Sequence, residues 1–165
     1  MSALTAGTAA PDFTLPSVDG KQFSLKEALA QGPVIAAFFK ISCPVCQYAF
    51  PFVERIHNSS GGKGVSIVGI SQDNQRDTNA FMKEFGVTFP VLLDKAGSYE
   101  TSNAYGLTNV PSIFWIAQDG EVELSSVGWS RPDIEKIYRK ISEMNGGTAP
   151  PLFHADEDIR DFRAG

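Results

Sequence analysis

Two cysteines, Cys43 and Cys46, are the only thiols in 165 residues, and two residues, Pro44 and Val45, separate them. A bridge that closes so short a loop constrains the unfolded chain little, and a disulfide scaffold needs more cysteines. The pair therefore points to redox chemistry or to metal binding, with an inert structural pair as the bland alternative. A tetrahedral zinc site wants four ligands. Only His57 and His154 remain as nitrogen ligands, and their spacing fits no zinc pattern. Redox chemistry gains weight from the flanking sequence. An apolar run, Val34 to Ile41, precedes Cys43, and helical spacing begins at Pro44. A cysteine at a strand-to-helix junction meets unpaired backbone N–H groups and the positive end of the helix dipole, both of which stabilise a thiolate. Cys46 then lies one turn further in, within bonding reach. It is placed to resolve a mixed disulfide formed by Cys43. Lys40, three residues before Cys43, adds a cation that would favour a nearby thiolate electrostatically; a solvated strand end is the competing explanation.

The elements needed to hold this junction are legible along the chain. Phe13, Leu15, Val18 and Phe23 flank Asp19-Gly20, a hairpin pattern. Ser24, with Glu27 three residues on, caps a short helix to Ala30. Val34 to Ile41 reads as a central strand buried on both faces. From Pro44 to about Asn58, Ala49, Phe50, Val53 and Ile56 recur at helical spacing with Pro51 inside, and Ser59-Ser60-Gly61-Gly62 is expected as the loop that ends the helix. Val65 to Ser71 predicts a second strand and a β–α–β unit. Asp73 to Phe85 follows as a helix burying Phe81, Met82 and Phe85, then a short strand Pro90 to Leu93 and a short helix Ser98 to Tyr105. Ser112 to Ala117 and Glu121 to Val127 predict a hairpin about Asp119-Gly120. The last helix starts at the Ser130/Asp133 capping box, carries the stripe Ile134, Ile137, Tyr138, Ile141, and stops at Gly146-Gly147. Residues 1–147 are expected as one domain and 148–165 as a charged tail, either mobile or docked through Leu152, Phe153, Ile159 and Phe162.

Composition narrows the function classes. The apolar fraction is 42% and the net charge −5, without a basic run, so a nucleic-acid binder is disfavoured. No stretch approaches the roughly 18 apolar residues of a membrane span. The first twelve residues lack the basic and apolar regions of a signal peptide, which makes a cytoplasmic location the simplest expectation, a periplasmic one requiring a removed leader. The glycine-rich segment 59–64 lacks the spacing of a phosphate loop.

These residues resemble the thioredoxin superfamily, in particular its TlpA/ResA-like redoxin branch. Ala10-Pro11-Asp12-Phe13-Thr14-Leu15 with Asp19-Gly20 resembles that branch's N-terminal hairpin, and Cys43-Pro44-Val45-Cys46 matches its redox motif. Pro51 matches the proline of its active-site helix, and Val110-Pro111-Ser112 resembles its cis-proline loop. The resemblance covers residues 8–145 and implies a thioredoxin-like α/β fold: a central mixed sheet flanked by helices, an N-terminal hairpin and a β–α insertion. It implies a thiol–disulfide oxidoreductase with Cys43 and Cys46 catalytic. Val110 and Pro111 would present backbone to substrate. The partners would be protein or small-molecule thiols and disulfides, with a redox partner to recycle the pair. The cysteine pair itself carries the electrons, and no metal, nucleotide or flavin is implied. Three positions depart from the family's pattern. Ala37 replaces a buried aspartate, Ala49 a glutamate and Ser42 a tryptophan, so the usual proton acceptor near Cys46 is absent. Two rival readings follow. One is a peroxiredoxin-like peroxidase using Cys46, although Cys43, Phe39 and Pro111 stand where that chemistry wants a hydroxyl residue, a proline and an arginine. The other is a non-catalytic redox sensor or binding module.

Overall fold

The computed structural model describes residues 3–60, 64–147 and 149–165. Its N-terminal part is the expected hairpin. β1 (Thr14–Pro16) and β2 (Gln22–Ser24) pair antiparallel with Leu15 opposite Phe23. The Ser24 hydroxyl accepts the Glu27 N–H at 3.2 Å and so caps α1 (Leu25–Leu29).

β3 (Val34–Phe39) is buried along its whole length, as its unbroken apolar run requires of a strand covered on both faces. The chain then enters α2 (Pro44–Ser60) and returns through β4 (Ser66–Ser71), which runs parallel to β3 with Phe39 opposite Ser71. The helix is longer than the sequence suggests. Ser59 and Ser60 belong to its last turn, whereas Gly61-Gly62 lie outside the described residues. Small polar residues are tolerated at a helix end, and nothing in their types forces the stop before glycine. Pro51 leaves the Gln47 carbonyl without its helical N–H partner.

α3 (Gln75–Phe85) begins two residues later than expected, because Asn74 rather than Asp73 caps it, accepting the Asp77 N–H at 2.8 Å. β5 (Val91–Leu93) joins β4 in parallel, and α4 (Glu100–Ala104) follows. β6 (Ser112–Ile116) and β7 (Val122–Val127) form the second hairpin, with β6 antiparallel to β3. The sheet order is β5-β4-β3-β6-β7. Beyond it come β8 (Trp129–Ser130), α5 (Arg131–Met144), capped by Ser130, and β9 (Phe162–Arg163), which pairs with β8.

Alternation along β3 divides the interior. Ile35, Ala37 and Phe39 face a core built with Phe50, Val53 and Ile56 of α2, Phe81 of α3, and Ile134, Ile137 and Ile141 of α5. Val34, Ala36 and Phe38 face a second core holding Phe13, Leu25, Tyr105 and Phe114. Each fully buried large apolar side chain contributes about 1.5–3 kcal/mol relative to exposure. This is a thioredoxin-like α/β fold: a mixed sheet between helical layers, with an N-terminal hairpin. Its central strand aims the segment 40–43 out of one end of the sheet.

Candidate active site

The turn between β3 and α2 is clamped at one peptide. The Ile41 N–H donates to the Asp73 carboxylate at 2.8 Å, and the Ile41 carbonyl accepts the Gln47 side-chain amide at 2.9 Å. The Lys40 carbonyl accepts the Cys43 N–H at 3.3 Å. The Lys40 side chain is exposed, and among the described residues its ammonium makes no hydrogen bond or ion pair.

Cys43 occupies the N-cap position. Its carbonyl accepts the Gln47 N–H at 3.0 Å, and its sulfur accepts the Cys46 N–H at 3.3 Å, where a Ser or Asn oxygen would normally sit. Pro44 takes the first helical position, where its missing N–H costs nothing. The geometry gives the Cys43 sulfur a backbone donor and the helix's positive end. The same thiol donates to the Val110 carbonyl at 3.4 Å, so the loop before β6 closes over the motif. Cys43 is half-buried, Pro44 exposed, Val45 buried at 8% exposure, and Cys46 wholly buried. The two sulfurs are free thiols.

Burial, before anything else, pushes the Cys46 thiol far up; the contact with Cys43 and the charge of Asp73 add to this. The sequence explains the dry setting. Ala37 and Ala49, standing where the family carries carboxylates, are fully buried in the same core as Cys46.

Val110 is half-buried and Pro111 buried, and the peptide bond between them is cis. Their loop is tied down from both sides. The Ser112 hydroxyl donates to the Asn109 carbonyl at 2.7 Å, and the Pro111 carbonyl accepts the Gly128 N–H at 2.7 Å. The structure thus brings Cys43, Cys46 and Val110 together and leaves the Lys40 ammonium apart. It adds two residues that sequence reasoning passed over. Asp73 reaches Ile41 because β3 and β4 are parallel: two steps beyond the Phe39–Ser71 pair, Ile41 lies beside Asp73. The sequence carried only the β–α–β pattern, whose parallel strands deliver their following loops to one end; the register itself comes from the structure. Gln47 signalled only through its place one turn after Cys43.

A profile of the redoxin family matches residues 5–141. The chain belongs to the redoxin family. This redoxin is accordingly a member of the thioredoxin superfamily, related to its TlpA/ResA-like proteins. It is 27% identical over 142 residues to the thiol-disulfide oxidoreductase ResA of Geobacillus thermodenitrificans (strain NG80-2), covering 85% of this chain and 80% of the relative. A crystal structure of a thiol:disulfide interchange protein of the thioredoxin family from Chlorobium tepidum TLS superposes with a TM-score of 0.69 at 28% identity, covering 86% of this redoxin and 99% of that chain. The thioredoxin domain of a thiol-disulfide oxidoreductase from Bacteroides vulgatus shares the fold, with a TM-score of 0.74 at 19% identity over 86% of this chain and 99% of that one.

Proposed function

We propose that this redoxin is an enzyme that exchanges disulfides with a protein or small-molecule thiol partner through Cys43-Pro44-Val45-Cys46. One observation carries the reading: the sulfur of half-buried Cys43 accepts the Cys46 N–H in the first turn of α2, while Cys46 itself is fully buried. The relatives named as thiol-disulfide oxidoreductases support the same chemistry.

In the reducing direction, the Cys43 thiolate attacks one sulfur of a substrate disulfide. A new S–S bond forms to Cys43, the substrate bond breaks, and the departing sulfur leaves as a thiolate. Cys46 then gives up its proton, which neutralises the departing thiolate, and attacks the Cys43 sulfur. The mixed disulfide breaks, the second substrate sulfur leaves as a thiolate that takes its proton from solvent, and a Cys43–Cys46 disulfide remains. Two electrons have passed from the pair to the substrate, and a dithiol partner restores the pair. The reverse sequence oxidises a dithiol. The Val110 carbonyl, in contact with the Cys43 sulfur, marks the side from which a substrate backbone approaches. A peroxidase reading would need Cys46 as a peroxide-accessible thiolate; its complete burial and raised thiol oppose that.

The test is a pair of variants. Cys43→Ser abolishes reduction of hydroxyethyl disulfide, while Cys46→Ser accumulates a mixed disulfide at Cys43, seen by mass spectrometry as a mercaptoethanol adduct. An adduct on Cys46 in Cys43→Ser, accompanied by peroxide consumption, would overturn the assignment in favour of the peroxidase.

A further inference from the structure

Residues 149–165 do not leave the domain. The Tyr138 hydroxyl donates to the Pro150 carbonyl. Leu152 is buried in the core that contains Cys46, and Phe153 packs edge-on against Phe52 of the active-site helix. Arg55 of that helix donates to the Leu152 carbonyl and forms a two-pronged ion pair with Glu157 at 2.6 and 2.7 Å. The Trp129 indole N–H donates to the Arg160 carbonyl at 2.6 Å, and the Arg160 N–H donates to the Tyr48 hydroxyl at 3.1 Å. The segment is thus strapped along α2 and guided to the end of the sheet where the cysteines lie.

Its last described residues fill a particular place. β9 pairs with β8, Trp129 opposite Arg163. Gly128, at a φ of 77° that favours glycine, turns a bare face to the Arg163 carbonyl; a methyl group there would stand 2.6 Å from that oxygen. Beyond it, a methyl group on Gly165 would stand 2.2 Å from the Val110 carbonyl oxygen, and the Gly165 carbonyl accepts the Asn109 side-chain amide at 3.0 Å. The Val110 oxygen is the one the Cys43 thiol touches. From Ser112 onward both sides of β6 are paired, to β3 and to β7. The backbone ahead of that pairing, at Asn109–Val110, is where an extended strand could add beside Cys43, and the tail lies along it.

Resting on the disulfide-exchange reading, we propose that residues 162–165 are an intramolecular occupant of the polypeptide-docking edge of this site. They set its specificity. Cys43 stays half-exposed and open to small disulfides, whereas an extended polypeptide disulfide must first displace the tail.

Two measurements test this. The full chain and a chain shortened by residues 162–165 are assayed with hydroxyethyl disulfide and with insulin. Shortening raises the insulin-to-hydroxyethyl rate ratio at least fivefold; an unchanged or lowered ratio overturns the proposal. Absence of hydroxyethyl turnover in the full chain would instead overturn the exchange reading beneath it. The second measurement needs no shortened chain. Full-length Cys46→Ser is loaded at Cys43 with either mercaptoethanol or a disulfide-linked insulin A-chain peptide, and amide hydrogen exchange is followed. With the peptide, the amides of 162–164 exchange at least tenfold faster than with mercaptoethanol. Equal exchange in the two adducts overturns the proposal whatever the shortened chain does.

Discussion

In the proposed exchange, Cys46 stays protonated in a buried core until a mixed disulfide forms at Cys43, and then attacks it. Ala37 and Ala49 supply no carboxylate to the same buried core, and burial is the leading cause of the raised Cys46 thiol. Reactivity of the reduced protein should follow: iodoacetamide labels Cys43 faster than Cys46 by more than about tenfold. A stability signature follows too. Below the ordinary thiol value of about 8.5, both the folded and unfolded forms keep the Cys46 proton. Above it, the unfolded chain releases that proton while the folded protein holds it. Stability therefore falls as pH rises, by up to about 1.4 kcal/mol per pH unit, until the raised folded value is reached. Urea unfolding of the reduced protein at pH 8, 9 and 10 should show this slope in excess of Cys46→Ala. Parallel curves for the two would remove the buried-thiol account.

At the scale of elements, the loop over the cysteines depends on a helix of only five residues. Tyr99, at the start of α4, makes no side-chain cap. Asp94, 3% exposed, replaces it: its carboxylate accepts the N–H groups of Thr101 at 3.2 Å and Ser102 at 2.8 Å, and the Ser102 hydroxyl at 2.7 Å. α4 in turn leads the chain to Asn109–Pro111. Leaving those buried donors unpaired costs about 1–3 kcal/mol each. Asp94→Ala should lower stability by about 2–4 kcal/mol in urea unfolding, with Asp94→Asn losing less. A loss under about 0.5 kcal/mol in the alanine variant would show that α4 is held by packing alone.

Across the whole molecule, the strap over α2 is fastened by charge as well as by aromatic packing. The Arg55 guanidinium and the His154 N–H hold the Glu157 carboxyl down at about 2. Because its folded value lies below the ordinary one, Glu157 helps the folded state above the unfolded value of about 4.3, and that help is lost as pH falls through about 2. Carboxyl-detected NMR should therefore find Glu157 ionised at pH 3.5, when ordinary glutamates are mostly protonated. Arg55→Met should return its midpoint to the ordinary range. A wild-type midpoint near 4.3 would mean that the strap is not closed in solution.

The sequence by itself determined the elements and the chemistry of the cysteine pair. Both depend on neighbours: Ser24 and Ser130 cap the helices that follow them, Asp19-Gly20 and Asp119-Gly120 turn their hairpins, and two residues separate Cys43 from Cys46. Helix ends were less legible, as at Ser59-Ser60 and Asn74, where several polar residues could cap or continue a turn. The tertiary structure alone decided what surrounds the pair. Asp73 meets Ile41 through strand register 32 positions away, Asp94 caps a helix it does not adjoin, and Arg55 finds Glu157 across 102 positions. The tail is the clearest case. Its composition allowed either a free or a docked segment, because Leu152 is buried and Phe153 half-buried only where Phe52, Trp129 and α5 build a surface. Such contacts depend on the relative placement of elements distant in the chain, and no local spacing records that placement.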